Sequence, residues 1–247
     1  MKILILNIIF YSLFIVFTAI AILLFSLFVF FVRIFLSRRQ TMRRFRRAIS
    51  WYGKIIIKVL PFGLVKVIYK DYEQSNNGQG VIFVCNHRSA SDPFLMACLP
   101  YEAIQVVNMW PFRLPILGIF ARWAGYLSIR EMPFEDFLEK AGKLLKEGVS
   151  MVTFPEGTRS TSKAMGQFHS SVFRLALEVR CPIVPMCISG SENIPAKGTR
   201  LLEPGKIRVY KLKRLQWADY KDLTPFTLKN KVRDSIAQHL AVVETVS

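Results

Sequence analysis

Acidic residues are scarce in this 247-residue chain, 17 Asp and Glu against 34 Lys and Arg, and none precedes Asp71. The resulting net charge of +17 excludes acidic solvating tails and points to an anionic partner. Cysteine is scarcer. Cys85, Cys98, Cys181 and Cys187 form no Cys-x-x-Cys pair and no Cys-His spacing of the zinc-binding kind, so neither a disulfide framework nor a zinc module is expected. Three of them lie in apolar runs and read as small buried hydrophobes, whereas Cys181, next to Pro182, is expected at the surface. No Gly-rich phosphate loop or dinucleotide fingerprint occurs, which argues against nucleotide chemistry. Gly-x-Ser-x-Gly is absent as well, so a serine hydrolase built on a nucleophile elbow is disfavoured. There is no internal repeat.

What the chain does have is one long apolar run. From Ile3 to Val32 only Asn7, Ser12, Thr18, Ser26 and the amphipathic Tyr11 interrupt it. As a helix it would be about 45 Å long, enough to cross a hydrocarbon core of roughly 30 Å. A single span and a hairpin that folds back both fit. A cleavable signal peptide fits poorly, because its apolar core would be shorter and a small-residue cleavage site would follow. A basic block comes next, Arg33, Arg38, Arg39, Arg43, Arg44, Arg46, Arg47, Lys54 and Lys58. Positive flanks stay cytoplasmic, so the remainder is expected on the cytoplasmic face of the inner membrane. A cationic stripe joined to an apolar anchor favours lipid phosphate over nucleic acid as the partner. The expected division is residues 1–60, anchor and basic interfacial helix, and 61–247, a catalytic domain.

Along that domain, apolar runs and helical periodicities alternate. Thr41–Lys58 reads as an amphipathic helix ended by Pro61-Phe62-Gly63, and Gln74–Gly80 as a polar turn. Strands are expected at Leu64–Tyr69, Val81–Cys85, Ala103–Val107, Gly125–Ile129, Ser150–Phe154, Ile183–Ile188 and Lys206–Leu212. Helices are expected at Pro93–Leu99, Glu135–Glu147 (stopped by Gly148), Phe168–Arg180 and Pro225–Leu240, and Phe112–Trp123 is apolar enough for a helix or a membrane-dipping element. The fold class is therefore α/β, a mixed but mostly parallel sheet flanked by helices.

Two loops carry reactive side chains. Asn86-His87-Arg88-Ser89-Ala90-Ser91-Asp92 follows the apolar strand Val81–Cys85 and holds an imidazole and a carboxylate five positions apart. Histidine exchanges a proton near neutrality, and an aspartate can fix its tautomer. Asp92 before Pro93 also reads as a helix N-cap, which would hold it at a fixed point. The second loop, Phe154-Pro155-Glu156-Gly157-Thr158-Arg159, also follows a strand. Ligands of α/β sheets gather at the carboxyl ends of strands, so both loops are expected at one crevice. Arg159 offers a fork for phosphate, while Glu156 is expected to hold an arginine or accept a substrate hydroxyl.

Together these segments, over about Val81–Ser189, resemble the glycerolipid acyltransferases, membrane enzymes that acylate glycerol 3-phosphate or lysophosphatidic acid. His87 and Asp92 match that family's His-x4-Asp, Gly125–Arg130 resembles its second block, Phe154–Arg159 its third, and Ile183-Val184-Pro185 its fourth. The resemblance implies His87 as general base and Asp92 as its orienting carboxylate. It also implies Arg130, Glu156, Gly157, Thr158 and Arg159 as acceptor-binding residues. Direct attack of the acceptor hydroxyl on an acyl-acyl carrier protein or acyl-CoA thioester would need no metal, no cofactor and no acyl-enzyme. A backbone N–H near Asn86 or Gly157 is the expected oxyanion donor, and Phe112, Leu117 and Phe120 the expected substrate lining.

One segment departs from the family. Where a Phe-Lys-x-Gly-like stretch is common, this chain reads Phe168-His169-Ser170-Ser171, so the acceptor headgroup is open and His169 is an acceptor contact or a solvated loop residue. Lysophosphatidic acid leads as acceptor, with lyso-ornithine lipid or another lysolipid as the alternative. A non-catalytic scaffold gathering anionic lipids would explain the anchor and charge but not the ordered blocks.

Overall fold

The computed structural model describes residues 1–61, 64–71, 79–107, 117–160, 165–196 and 198–245. Its centre is a six-stranded sheet built from β1 (Val65–Asp71), β2 (Ile82–Cys85), β3 (Ala103–Val106), β4 (Ser150–Thr153), β5 (Ile183–Ser189) and β6 (Gly205–Lys211). The order is β1-β6-β5-β2-β4-β3, with every pair parallel except β5 and β6. β2, β4 and β5 are wholly buried, which is why β2 and most of β5 read as unbroken apolar runs rather than alternating ones, while β4 keeps its polar Ser150 and Thr153 at its ends.

Alternation assigns each strand residue to one of two cores. Ile82, Val84, Met151 and Ile183 face a layer of α5 (Phe134–Lys146), α6 (Ser171–Val179) and α7 (Pro225–Thr245). Phe83, Cys85, Val152 and Val184 face the other layer, where α3 (Asp92–Ala97) contributes Leu95 and Met96. That second layer also contains the N-terminal helices. α1 (Lys2–Phe35) supplies Phe10, and α2 (Arg38–Lys58) supplies Ile56 and Ile57. The boundary expected at residue 60 therefore does not separate two cores, since α2 covers the sheet itself. Between α3 and α5 lies the short α4 (Leu117–Trp123).

α2 begins three residues before the expected Thr41 because Ser37 and Gln40 form a reciprocal capping box. α1 is long and apolar enough to cross a membrane, the one such helix among the described residues, and most of its apolar side chains are exposed. Both of its ends are nevertheless tied to the domain. Buried Asn7 exchanges two hydrogen bonds with Leu202, Nδ2 to the carbonyl at 3.0 Å and the N–H to Oδ1 at 2.7 Å. At the other end the chain reverses at Ser37, and α2 runs back alongside α1, with Phe17 stacked on Tyr52 at 5.5 Å.

Three other expectations change. Gly125–Ile129 is no strand: Leu127 forms only an isolated bridge to Val106 before Ser128 accepts the Glu131 N–H and turns the chain. Cys181 is buried, with its carbonyl accepting the Tyr220 hydroxyl, so proximity to proline did not expose it. The final helix continues to Thr245. Much of the expected Gln74–Gly80 turn and the Phe62-Gly63 break lie outside the described residues.

α2 is fastened by one carboxylate. Glu102 accepts from Arg39 at 2.6 Å and 2.9 Å and from buried Arg46 at 2.8 Å, while Arg46 Nε also donates to the Ala124 carbonyl at 2.8 Å. Burial by itself would raise the Glu102 pKa, but hydrogen bonds and charge from Arg39 and Arg46 outweigh it, and the carboxyl sits below its ordinary value. A depressed acid contributes stability above its unfolded pKa and loses it as pH falls through the folded one. Glu102→Gln should thus destabilise the protein by about 3 kcal/mol at neutral pH, because it leaves a buried arginine poorly paired. In thermal melts the gap from wild type should close as pH drops below the usual carboxylate range. A gap independent of pH would contradict the assignment.

Candidate active site

β2 and β4 are parallel neighbours, so the loops leaving their carboxyl ends lie side by side, as their positions after strands imply. Asn86 sets the first loop: its side chain donates to the Ile188 carbonyl at 2.9 Å and accepts the Ile188 N–H at 2.8 Å, imitating a further ladder pair with β5. The chain then wraps around Asp92. That carboxylate is fully buried, and its Oδ2 accepts from His87 Nδ1 at 2.9 Å and from the Arg88 and Ser89 N–H groups at 2.7 Å each. Asp92 is consequently the first residue of α3 rather than its N-cap, a position held by Ser91 without a side-chain bond. It caps the loop that precedes the helix.

A carboxylate can only accept, so the bond places a proton on Nδ1 and leaves Nε2 as the lone-pair nitrogen. The ring leans on Phe154, centroids 4.6 Å apart, and lines a mostly apolar cavity of about 570 Å³. Thr18, Ala21 and Phe25 of α1 and Ile49, Tyr52 and Gly53 of α2 form one wall of it. Pro93 and Phe94 of α3 and Phe120 of α4 form the other, while Gly157, Thr158 and Arg159 edge it beside His87.

Glu156 stands beneath this rim. Its Oε1 accepts the His87 N–H at 2.8 Å, and its Oε2 accepts the Gly166 N–H at 2.8 Å and the Ser160 hydroxyl. The carboxylate thus joins loops instead of holding an arginine. A reverse link, Ser160 N–H to the His87 carbonyl at 2.8 Å, closes the pair. Gly157 has φ +70°, and its N–H donates to Phe154, so it is engaged locally rather than open to an oxyanion.

Of the residues singled out in the sequence, His87, Gly157, Thr158 and Arg159 meet at the cavity, with Asp92 and Glu156 behind them. Arg130 does not join them; it is exposed and outside the cavity lining, because the chain turns at Ser128. His169 is exposed too, and its Nε2 lies 3.2 Å from where a Cβ on Gly157 would be. Phe120 does line the cavity, whereas Phe112 and the Leu117 side chain lie outside what is described. Ser89 is buried, and its hydroxyl donates to the Ile194 carbonyl at 2.6 Å, away from the imidazole. The roles of Asn86, Arg88 and Ser89 escaped sequence reasoning. A signal was present: polar residues directly after a wholly buried strand must find partners inside the fold.

A model of the family described as acyltransferase matches residues 66–189, from β1 to the end of β5. The chain belongs to the acyltransferase family. It is 28% identical over 176 residues to a 1-acyl-sn-glycerol-3-phosphate acyltransferase of Cocos nucifera, covering 69% of this chain and 57% of that one. A chloroplastic 1-acyl-sn-glycerol-3-phosphate acyltransferase of Brassica napus is 28% identical over 159 residues, 63% of this chain and 46% of the relative. The alignments therefore span about half the length of these curated relatives. The fold is also that of the crystal structure of PlsC, the 1-acyl-sn-glycerophosphate (LPA) acyltransferase of Thermotoga maritima. The TM-score is 0.80 at 20% identity, over 98% of this chain and 96% of that one.

The loop junction at Glu156 is testable without any substrate. Glutamine keeps the shape but must point its amide at one of the donors that the carboxylate now accepts. Glu156→Gln should lower stability by about 2 kcal/mol, the cost of leaving a buried donor unsatisfied. Chemical denaturation measures it, and an unchanged midpoint would mean the junction contributes nothing.

Proposed function

We propose that this family member transfers an acyl group from an acyl carrier protein or CoA thioester to the hydroxyl of lysophosphatidic acid, giving phosphatidic acid. The observation that carries the reading is the imidazole held at Nδ1 by a buried carboxylate at the wall of an apolar cavity. Nε2 of His87 removes the hydroxyl proton as the oxygen attacks the thioester carbonyl carbon. Asp92 steadies the imidazolium that forms. The C–O bond forms, the C–S bond breaks, and the proton passes from Nε2 to the departing thiolate. Neither a metal nor an acyl-enzyme enters the scheme.

The cavity falls within the 300–1,000 Å³ usual for small-molecule sites, and its apolar walls suit an acyl chain. Arg159 at its edge is the residue for the acceptor phosphate. Arg130, exposed beyond the lining, is assigned no part. One observation favours a second reading of the acceptor. His169, beside Gly157, stands where the family resemblance leads one to expect lysine, so a lysolipid with another headgroup, such as lyso-ornithine lipid, competes with lysophosphatidic acid.

For membrane placement we take α1 as the inserted element. Its apolar surface is exposed while Asn7 and the Ser37 turn return both ends to the domain, so the helix dips into the bilayer and does not cross it alone. The basic face of α2 then lies against anionic headgroups on the cytoplasmic side of the inner membrane.

With purified enzyme and several lysolipids, mass spectrometry of products should show transfer to lysophosphatidic acid. Indifference to that acceptor, with transfer to another, would select the second reading. His87→Ala should lose about 10³-fold in turnover, within the range general-base catalysis supplies, while remaining folded and membrane-bound. Turnover preserved in that variant would remove the mechanism.

A further inference from the structure

α7 lies wholly beyond the segment that matches the family, yet it reaches both loops of the site. Leu228, Val232, Ile236 and Leu240 bury one stripe of it against the sheet, which makes it a rigid reference. From this helix Arg233 extends over the 165–166 segment, with Nε donating to the Gly166 carbonyl at 2.9 Å and Nη2 to the Met165 carbonyl at 2.8 Å. The Gly166 N–H is bound by Glu156, whose other oxygen holds the His87 N–H. Gly166 has no slack here, since a Cβ on it would lie 2.9 Å from Glu156 Oε2.

Eleven residues later, about three helical turns on and on the same face, Glu244 pairs with Arg88. The Arg88 side chain is buried, and it also faces Glu192 at 3.5 Å. Its own N–H is one of the three donors on Asp92 Oδ2. One helix therefore grips the His87 side of the dyad through Gly166 and Glu156, and the Asp92 side through Arg88.

We infer that Arg233 and Glu244 are positioning residues that hold His87 and Asp92 in reacting geometry from outside the family segment. Neither touches substrate. The inference rests on the proposed reading of His87 as the base, and it explains why a C-terminal helix ends beside the catalytic loop. Misplacing a reacting group by about 1 Å costs on the order of 10²-fold, so modest loosening at either grip suffices to be seen.

The test uses the full chain in lipid-detergent micelles with Arg233→Gln, Glu244→Gln and the conservative Arg233→Lys. Each glutamine variant should lower kcat by about 10-fold or more with KM for acceptor and thioester kept within about threefold, because orientation and not binding is lost. Arg233→Lys should recover part of kcat, since one ammonium can reach one of the two carbonyls. Amide exchange is the second readout. His87, Arg88, Ser89 and Gly166 should exchange about 10-fold faster while the amides of 228–240 keep their protection, a local opening. Wild-type kcat and exchange in both glutamine variants would overturn the inference, as would exchange accelerated evenly over α7 and the sheet. Should the wild-type chain transfer no acyl group at all, the reading of His87 falls instead, and the exchange pattern still decides whether α7 grips these loops.

Discussion

Burying a carboxylate costs several kcal/mol unless donors gather around it. Asp92 meets that condition at one oxygen, with three N–H groups converging on Oδ2, while Oδ1 is buried with no hydrogen-bond partner among the described residues. Two of the three come from the backbone directly after His87, so satisfying the carboxylate dictates the path of the loop and therefore the position of the imidazole. The third is the imidazole itself. Binding the ring from Nδ1 leaves Nε2 as its other nitrogen, and every chemical step proposed for the protein starts from that atom.

The remaining architecture supplies what this arrangement requires. Parallel pairing of β2 with β4 puts two strand ends together, and Glu156 converts their proximity into a joint through donors from both sides. α7 backs the joint from one face of the sheet. On the other face, α1 and α2 close the cavity above His87, so the segment that is apolar enough for a bilayer is also a wall of the site. The Glu102 junction keeps that wall in place, with Arg46 reaching across to Ala124.

Much of this was legible in residue order. Fully buried parallel strands appear as short unbroken apolar runs, which is why Val81–Cys85 and Ile183–Ile188 could be read, and why polar loops after them stood out. The dyad and the Gly157–Arg159 edge followed from their places after strands. Other roles were not legible. Asp92 looked like a cap for its own helix because Asp-Pro has that local preference, whereas its partners lie upstream. Glu156 looked like a partner for arginine because charge suggests opposite charge, and the backbone donors it binds carry no mark in the sequence. Arg130 was misplaced because a turn at Ser128 ends the expected strand.

Local chemistry by itself determined the α/β class, the apolar helix, the cationic stripe and the His87–Asp92 pair as a candidate, since each depends on composition or on spacing along one segment. Tertiary structure decided the rest: that α1 folds back with α2 over the sheet, that His87 opens on an apolar cavity, that Arg130 stays outside it, and that α7 reaches both loops. Most of those outcomes depend on contacts between residues far apart in the chain, 69 positions for His87 with Glu156 and 195 for Asn7 with Leu202. Distances of that kind are set by packing the whole chain at once, and no short window of sequence contains them.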